Sequence, residues 1–526
     1  MKTLSLNAGY MNSDQTDSTL QWVPHVPVVV NLRRLFPRAS FVGCGDIHTS
    51  DVTDRSGQCR PNSLFAVIRG AAADGHAFIR DAIDHGAMAL LVDRPQADVA
   101  VPQCIVPDVR RAYAELCAAL MAHPARHLGL AGVTGTNGKT TTTWLIRSIL
   151  QAAQCQTGLL GTIEYSDGID HEPSSLTTPD PAGLARRLAT MVSRKTTHAA
   201  MELSSHALDQ RRTAGTLLDA AVITNITQDH FDYHKHFAAY RESKLRIFEY
   251  LKPAGLAVVN VDDAGSRSCV ADAPQRVLTY GLDEPADVSA EILAASLYGS
   301  QFRLTIGTDG IDVETKLAGR HNVANCLAAA AVAAHFGIDL ETIARGICAL
   351  TAVPGRLELV DAGQPFPVFV DYAHTDDALR NCLSSLRPLT KGRVICVFGA
   401  GGDRDKLKRP LLGRAAAEAD LPVVTSDNPR SEAPESIIAD ILCGFTGRRQ
   451  PYVDVDRERA IRWAIQHAGP EDTVLIAGKG HETEQIVGSQ RLHFDDREVA
   501  HGCLEALFPA AAQLQPHIPL SNPLRV

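Results

Sequence analysis

With 526 residues, of which 45% are hydrophobic and 21% charged, the chain has the composition of a globular protein with room for roughly three or four domains. Its formal net charge of −9 disfavours a broad basic surface, so we expect no nucleic-acid partner. It contains no run of about 18 consecutive apolar residues, and the sequence therefore predicts no membrane span.

The two ends of the chain are predicted to be tails. Residues 1–27 lack an apolar stretch long enough for a signal peptide. Residues 511–526 are rich in proline. The twelve cysteines include no C-x-x-C pair, which favours reduced thiols over disulfides or a zinc site. These features predict a cytoplasmic protein.

Three domains are predicted between the tails, in an α/β fold. Residues 28–127 have short apolar strands around one helix, which indicates a small N-terminal α/β domain. Residues 128–351 form a central P-loop-type domain that contains an alanine-rich helix. In residues 352–510, strands alternate with helical segments, which predicts a Rossmann-like C-terminal domain. This alternation is typical of parallel sheets with helices on both faces.

A glycine-rich loop follows the first strand of the central domain. The stretch "TGTNGKTTTT" (134–143) lies between an apolar strand and a segment with helical apolar spacing. Glycines let backbone N–H groups turn toward an anion, and the start of a helix adds partial positive charge. Lys139 can reach the outer phosphates of a nucleotide, and the Thr140 hydroxyl can hold Mg²⁺. Because Val133 stands where the strict motif has glycine, a plain turn is the alternative interpretation.

Further polar clusters follow the predicted strands, where open α/β sheets place their sites. Glu202 follows the strand in "HAAMEL" and is suited to coordinate Mg²⁺. Asn225, Asp229 and His230 crowd the end of another strand. Each residue alone is equally well explained as a helix cap or a solvated loop. Their occurrence together in one nucleotide domain favours a functional site.

Seven motifs occur in an order that resembles the ATP-dependent Mur ligases of bacterial cell-wall synthesis. The resemblance covers residues from about 40 to about 505, and it is greatest to the ligases that add the third amino acid to the UDP-MurNAc peptide. It implies that ATP activates a substrate carboxylate as an acyl phosphate, which an incoming amine then displaces. The motifs are "TGTNGKTT", "MELSSHALDQ", "TNITQDHFDYH", "YRESKLRIF", "GRHNVANCLAA", "VPGRLELV" and "DYAHTDDAL".

The resemblance implies a catalytic set of Lys139, Glu202, His230 and Lys244. Lys139 would contact the β- and γ-phosphates, and Mg²⁺ would be the cofactor. Thr140 and Glu202 would hold one Mg²⁺, and His230 would help to hold a second. Lys244 would be a further ligand, as a carbamate that turns a cation into an anion. The ATP-binding residues would be Gly135, Thr136, Asn137, Gly138, Lys139, Thr140, Thr141, Asn322, Arg356 and Asp371, with Asn322 at the adenine.

The resemblance also implies contacts to UDP-MurNAc-L-Ala-D-Glu. In the N-terminal domain the family usually has Asp-Ser-Arg where this chain has Arg55-Ser56-Gly57, so the charges that flank the uridine contacts are altered. We expect Arg212 to pair with a carboxylate or a phosphate. The predicted contacts are Ser56, Ala71, Ala72, Ala73, Thr177, Thr178, Ser204, Gln210 and Arg212.

The stretch "SDNPRSEAP" (426–434) resembles the signature of the ligases that add meso-diaminopimelate. Diaminopimelate is lysine with an extra carboxylate, and a guanidinium binds a carboxylate through two parallel hydrogen bonds. Glu482 would pair with the distal ammonium. The predicted contacts are Arg404, Asp427, Asn428, Pro429, Arg430, Gly478 and Glu482.

Three alternatives to this function remain open at the level of sequence. The first is a ligase that adds L-lysine instead, although those enzymes usually lack the arginine. The second is a folate polyglutamate ligase, which shares the phosphate loop. The third is a non-catalytic Mur-like scaffold that binds nucleotide. In each case we expect the chain to be a monomer.

Overall fold

The computed structural model describes residues 28–70, 73–227, 231–273, 276–447 and 450–509. These residues form three successive α/β units, each built on one main sheet. The α/β class and the three-unit architecture predicted from the sequence are therefore confirmed, while the domain boundaries stay a prediction. The predicted tails lie outside the described residues. No described helix is both long and apolar enough to cross a bilayer.

The N-terminal unit is a twisted sheet in the order β2-β7-β6-β5-β4, parallel except for β2. Its buried strands pack against α3 on one face and α2 on the other. The elements are β1 (Val30–Asn31), α1 (Leu32–Leu35), β2 (Ser40–Val42), β3 (His48–Thr49), β4 (Asp51–Thr53), β5 (Ser63–Ala66), α2 (Ile79–Asp84), β6 (Ala87–Val92), β7 (Gln103–Ile105) and α3 (Val109–Leu120).

The central unit has a mixed sheet in the order β11-β10-β9-β12-β8-β13-β14-β15-β16-β17-β18. From β9 to β16 in this order, adjacent strands are parallel. Strands β10 and β11 at one edge, and β17 and β18 at the other, pair antiparallel. The strands are β8 (Gly129–Thr134), β9 (Thr157–Leu160), β10 (Glu164–Ser166), β11 (His171–Pro173), β12 (His198–Glu202), β13 (Leu218–Ile223), β14 (Leu251–Asn260), β15 (Val277–Gly281), β16 (Val288–Ser296), β17 (Gly299–Ile306) and β18 (Asp309–Thr315).

Helices cover both faces of the central sheet. Helix α10 is the alanine-rich helix predicted from the sequence; its run Ala328–Ala333 is fully buried against the sheet. The helices are α4 (Lys139–Ala152), α5 (Pro181–Ser193), α6 (Ser205–Asp209), α7 (Phe231–His234), α8 (Phe237–Leu245), α9 (Ala264–Arg267), α10 (Arg320–His335) and α11 (Leu340–Ala349).

The C-terminal unit has a sheet in the order β19-β20-β24-β21-β22-β23, parallel except for β19. Strands β25 and β26 form a separate antiparallel hairpin. The elements are β19 (Glu358–Val360), β20 (Val368–Asp371), α12 (Asp376–Leu386), β21 (Val394–Phe398), α13 (Lys408–Ala416), β22 (Leu421–Val424), α14 (Pro434–Leu442), β23 (Tyr452–Val453), α15 (Arg457–Gln466), β24 (Thr473–Ala477), β25 (Glu484–Val487), β26 (Gln490–His493) and α16 (Asp496–Leu507).

The sheets are mainly parallel, as predicted, but antiparallel strands at their edges were not predicted. Strands β16, β17 and β18 are joined by two-residue turns, and such short connections join only antiparallel strands. Helix α8 ends at Leu245, and the chain continues as a 3-10 turn, Arg246–Tyr250. All twelve cysteines are free, as predicted.

Candidate active site

Two adjoining cavities open where the parallel strands of the central and C-terminal sheets end. The first, which we call the loop cavity, has a volume of about 290 Å³ and is lined by residues 135–141. The second, the C-terminal cavity, has a volume of about 370 Å³. Tyr372, His374 and Thr375 line both cavities, so a molecule in one is adjacent to a molecule in the other.

Backbone geometry explains the glycines of the loop. Gly135 has φ +151°, and a Cβ on it would lie 1.8 Å from Thr224 Oγ1. Gly138 has φ +83°, and its Cβ would lie 2.6 Å from Asn325 Oδ1. The loop is further held by Asn225, whose Oδ1 accepts from the backbone N–H of Asn137 at 2.8 Å. Only glycine fits these two close approaches.

Lys139 and Thr140 begin helix α4, directly after the loop. The Lys139 ammonium donates to the carbonyls of Gly135 and Thr136, at 2.8 and 2.9 Å, so it lies over the loop. The Thr140 hydroxyl donates to Glu202 Oε2 at 3.0 Å. Glu202 ends strand β12 and is fully buried. The loop therefore brings a cation, a hydroxyl and a carboxylate together.

The chemistry of these side chains suits Mg²⁺, which prefers oxygen ligands and usually keeps several waters and substrate phosphates. Thr140 and Glu202 supply such oxygens. Lys244 lines the same cavity; it is buried, with its ammonium 4.5 Å from the centroid of the Tyr240 ring. The fourth predicted ligand, His230, lies outside the described residues. Among the residues described, no cluster of three or more His, Cys, Asp or Glu side chains offers an all-protein metal site.

Residues of the C-terminal unit complete the loop cavity. Arg356 donates through Nη2 to the Thr140 hydroxyl at 3.0 Å, and its guanidinium lies 4.7 Å from the Tyr372 ring centroid. The buried Nε of Arg356 has no hydrogen-bond partner among the described residues. Asp371 accepts from the backbone N–H groups of Leu357 and Ala373, both at 2.7 Å, and so fixes the segment that carries Arg356.

Asp377 contacts the glycine loop, and the sequence did not lead us to predict this contact. Its Oδ2 accepts from Asn137 Nδ2 at 2.9 Å and from the Thr227 hydroxyl at 3.0 Å, so helix α12 is tied to the loop. In the sequence, Asp377 is indistinguishable from an ordinary acidic residue in the first turn of a helix. Asn322, predicted at the adenine, lines the loop cavity and accepts from Asn325 Nδ2 at 3.0 Å.

The residues predicted to hold the sugar-peptide fall into two places. Thr178, Ser204, Gln210 and Arg212 form one cluster, in which Arg212 donates to Gln210 Oε1 at 2.8 Å and to the Thr178 carbonyl at 3.3 Å. Burial lowers the pKa of Arg212 from its ordinary value. Thr177 is adjacent and lines the loop cavity.

The remaining sugar-peptide predictions belong to the N-terminal unit. Ser56 lies in a 3-10 turn, Ser56–Gln58, and Ala73 is exposed. Ala71 and Ala72 lie outside the described residues. Among the described residues, neither Ser56 nor Ala73 lines the loop cavity that Thr177 and Ser204 line.

The C-terminal cavity contains nearly all residues predicted to bind the amino acid. Asp427 and Asn428 follow strand β22, and Gly478 follows β24, so the sheet brings distant segments to one edge. Pro429 is buried in the turn behind the cavity wall. The predicted residues that line the cavity are Arg404, Asp427, Asn428, Arg430, Gly478 and Glu482.

Arg430 is held in an unusual backbone conformation. Its φ is +52°, in the left-handed region that side chains other than glycine, asparagine and aspartate rarely adopt. The hairpin stabilises it: Arg430 N–H donates to the Ile486 carbonyl at 3.0 Å, and its own carbonyl accepts from Gly488 N–H at 2.7 Å. Its guanidinium donates to the Gly402 carbonyl at 2.6 Å, at the cavity wall.

A buried ion pair supports the same edge of the sheet, and sequence reasoning missed it as well. Arg457 and Asp496 are both fully buried and lie 2.7 Å apart. Arg457 also donates to the carbonyls of Ser426 and Ala477, at 3.3 and 3.0 Å. It therefore joins the ends of the strands that precede Asp427 and Gly478.

Comparison with known proteins agrees with this geometry. Three family descriptions match the chain: "Mur ligase family, catalytic domain" over residues 49–124, "Mur ligase middle domain" over 133–333, and "Mur ligase, glutamate ligase domain" over 355–480. A relative from Geobacillus thermodenitrificans, named UDP-N-acetylmuramoyl-L-alanyl-D-glutamate-2,6-diaminopimelate ligase, is 44% identical over 85% of this chain and 92% of its own length. The chain belongs to the Mur ligase family.

Other relatives of this Mur ligase carry the same name. One from Gloeobacter violaceus is 45% identical over 87% of this chain and 94% of its own length. A solved structure of a protein with that name is 31% identical, with a TM-score of 0.65 over 91% of this chain and 99% of the other. The family membership and the ligase class predicted from the seven motifs are thus confirmed.

More distant solved structures resemble this Mur ligase in fold. The MurF ligase from Thermotoga maritima in complex with ADP is 18% identical, with a TM-score of 0.57 over 88% of this chain and 98% of its own. Folylpolyglutamate synthase from Mycobacterium tuberculosis, complexed with ADP and AMPPCP, is 20% identical, with a TM-score of 0.57 over 78% of this chain and 96% of its own.

Proposed function

We propose that this chain is an ATP-dependent ligase that joins meso-diaminopimelate to UDP-MurNAc-L-Ala-D-Glu through an acyl-phosphate intermediate, in peptidoglycan synthesis. The observation that carries the proposal is that the two cavities adjoin, with Tyr372, His374 and Thr375 between them. A phosphate-binding loop and a cavity rich in cations and carboxylates are thereby placed side by side. The names of relatives at 44–45% identity support the same reaction.

ATP binds in the loop cavity. Backbone N–H groups after Gly135 and Gly138, together with the start of helix α4, attract the phosphates. Lys139 exchanges its bonds to loop carbonyls for bonds to the β- and γ-phosphates. Arg356 approaches from the C-terminal unit, and its unpaired buried Nε is available to the same phosphates. Such placement of reactants and charge is the main source of rate acceleration in phosphoryl transfer.

Thr140 and Glu202 would hold one Mg²⁺, His230 would help to hold a second, and Lys244 as a carbamate would be a further ligand. When bound, Mg²⁺ neutralises negative charge on the γ-phosphate that is transferred and on the ADP that leaves. A carbamate on Lys244 would replace its positive charge with a negative one. The burial of Lys244 in the loop cavity supports such a change, because an ammonium at that place would repel the metal.

The sugar-peptide carboxylate reacts at the central unit. The cluster of Thr178, Ser204, Gln210 and Arg212 lies next to the loop cavity, which Ser204 also lines. Arg212 pairs with a carboxylate or phosphate of this substrate, and Thr177 adds a hydroxyl. We assign the uridine to the N-terminal unit, near Ser56 and Ala73.

The diamine binds in the C-terminal cavity. Arg430 and Arg404 face a substrate carboxylate, and Asp427 and Glu482 face its ammonium groups, with Glu482 held by Asn428. The guanidinium of Arg430 distinguishes diaminopimelate from L-lysine, since lysine lacks the distal carboxylate and would leave that cation without a partner. The lysine-adding alternative is therefore disfavoured.

The experiment that tests the proposal is an omission assay. Purified protein is supplied with ATP, Mg²⁺, UDP-MurNAc-L-Ala-D-Glu and meso-diaminopimelate, and released phosphate and ligated product are measured together. We expect both only when every substrate is present. Phosphate release that needs no diamine would indicate a generic ATPase, and nucleotide binding without turnover would indicate a non-catalytic scaffold. We further propose that the enzyme works in the cytoplasm as a monomer.

A further inference from the structure

We infer that Lys479 is a positioning residue for the diamine, because it fixes two groups of the C-terminal cavity, the Asn428 amide and the Glu482 carboxylate. The inference rests on the proposed function, in which this cavity binds the diamine. Lys479 itself lies behind the cavity wall and has no exposed side-chain area. Lysine is almost never fully buried unless its ammonium is paired, so its partners define its role.

Three oxygen atoms surround the Lys479 ammonium. Nζ donates to Asn428 Oδ1 at 3.2 Å and to the backbone carbonyl of Glu484. Glu482 Oε2 lies 3.6 Å from the same nitrogen. An ammonium has three donors and no acceptor, so the number of oxygens matches its donors.

These contacts hold the Asn428 amide in one orientation. Its Oδ1 accepts from Lys479 and, at 3.0 Å, from the backbone N–H of Ile486. Its Nδ2 donates to Glu482 Oε2 at 2.9 Å. The reversed amide would direct an oxygen at the Glu482 carboxylate and an NH₂ group at two donors. Lys479 therefore keeps Asn428 as a donor to Glu482.

As a consequence, the Glu482 carboxylate is held in place before the diamine binds. The Glu482 side chain is 34% exposed and lines the cavity, so it is accessible to a substrate ammonium. A group that is held before binding loses less conformational freedom when the ligand arrives. Lys479 thus acts on the affinity for the diamine through Asn428 and Glu482, without contact to the substrate.

The test compares Lys479→Met, which keeps the length of the side chain without its charge, with Lys479→Gln, which can still donate to Asn428 Oδ1. We expect the KM for meso-diaminopimelate to rise roughly ten- to a hundredfold in Lys479→Met, the effect of one charged hydrogen bond. The KM for ATP and for the UDP-peptide stay near wild type, and kcat changes less than the diamine KM. For Lys479→Gln, we expect a diamine KM between those of wild type and Lys479→Met.

A double-mutant cycle with Glu482→Gln separates positioning from a general loss of structure. Because Lys479 acts through Glu482, the two substitutions should be non-additive in the diamine KM. Lys252→Met is the matched control: this lysine pairs with Asp219 at 2.8 Å in the central unit, and its loss should leave the diamine KM unchanged. Melting temperature and ATP binding report folding for every variant.

Several results would overturn the inference. An unchanged diamine KM in folded Lys479→Met, an equal rise in all three KM values, or additivity with Glu482→Gln would each do so. If Lys479→Met does not fold, the same comparisons are made with Lys479→Gln, and the same three outcomes would overturn the inference. A wild-type protein that shows no diamine-dependent phosphate release would instead refute the proposed function.

Discussion

Arg356 of the C-terminal unit donates to the Thr140 hydroxyl at 3.0 Å, and Thr140 in turn donates to Glu202 at 3.0 Å. A single line of contacts thus runs from the C-terminal unit through the first turn of helix α4 to a buried carboxylate of the central sheet. It places a guanidinium at the glycine loop, where we propose that the nucleotide phosphates bind.

The first prediction concerns this contact. We expect Arg356→Ala to raise the KM for ATP and lower kcat, each by roughly tenfold or more, because a charged hydrogen bond and a cation near the phosphates are lost. Steady-state kinetics of phosphate release measure both. Arg303→Ala, which removes an exposed ion pair with Asp312, is the control and should match wild type. Equal kinetics for the two variants would contradict the role of Arg356.

The second prediction concerns the loop glycines. In Gly135→Ala, the new methyl group would collide with Thr224 Oγ1, so the loop must shift and ATP binding should be lost. In Gly502→Ala, nothing lies within 4 Å of the new methyl group, and the site is in helix α16. That variant should bind ATP normally and gain up to about 1 kcal/mol of stability. Calorimetric titration and thermal melting distinguish them; normal ATP binding by Gly135→Ala would disprove the loop assignment.

The third prediction concerns substrate choice. Asparagine tolerates the left-handed backbone of Arg430, so Arg430→Asn removes the guanidinium with little strain. We expect kcat/KM for meso-diaminopimelate to fall roughly ten- to a hundredfold, with that for lysine little changed. Arg491→Asn, on the exposed side of the hairpin, is the control. A variant at position 430 that kept the wild-type preference would exclude Arg430 as the selectivity residue.

The fourth prediction concerns pH and stability. Burial, and then the charges of Arg356 and Arg497, lower the pKa of His481 from 6.5 to about 4. Between these values only the unfolded chain takes up the proton, so this histidine reduces stability as the pH falls from about 6.5 to about 4. His481→Gln should therefore lose less melting temperature than wild type between pH 7.5 and pH 5.

His493 provides a control of opposite sign. The pKa of His493 is raised by its hydrogen bond to Glu498, so its contribution to stability is present at low pH and is lost as the pH rises. His493→Gln should lose more melting temperature than wild type over the same acid range. Parallel pH profiles for the two variants would contradict the opposite signs assigned to the two histidines.

Much of the site was predictable because it is encoded locally. The glycine, lysine and threonine of the 134–143 loop and the polar residues after each strand are adjacent in sequence, and parallel sheets bring strand ends together. The structure places Glu202 beside Thr140 and Asn428 beside Glu482 as such reasoning expects. These arrangements depend on strand order far more than on details of packing.

Other features depend on contacts between distant segments. Asn137 meets Asp377 across 240 positions of sequence, and Arg457 pairs with Asp496 in the core. Nothing in the local pattern separates Asp377, Arg457 and Asp496 from ordinary charged residues at the surface of helices. The antiparallel edge β16–β18 was missed for a different reason. We expected strands to alternate with helices there, whereas the segment folds as two successive hairpins.

The central claim is that the C-terminal cavity holds diaminopimelate beside the nucleotide, with Arg430 on its distal carboxylate. A crystal structure with ADP and the ligated UDP-tripeptide product bound tests it most directly. We expect the ADP phosphates on the 135–140 loop and the distal carboxylate within hydrogen-bonding distance of the Arg430 guanidinium. A structure in which Arg430 turns into solvent, or in which ADP binds away from that loop, would contradict it.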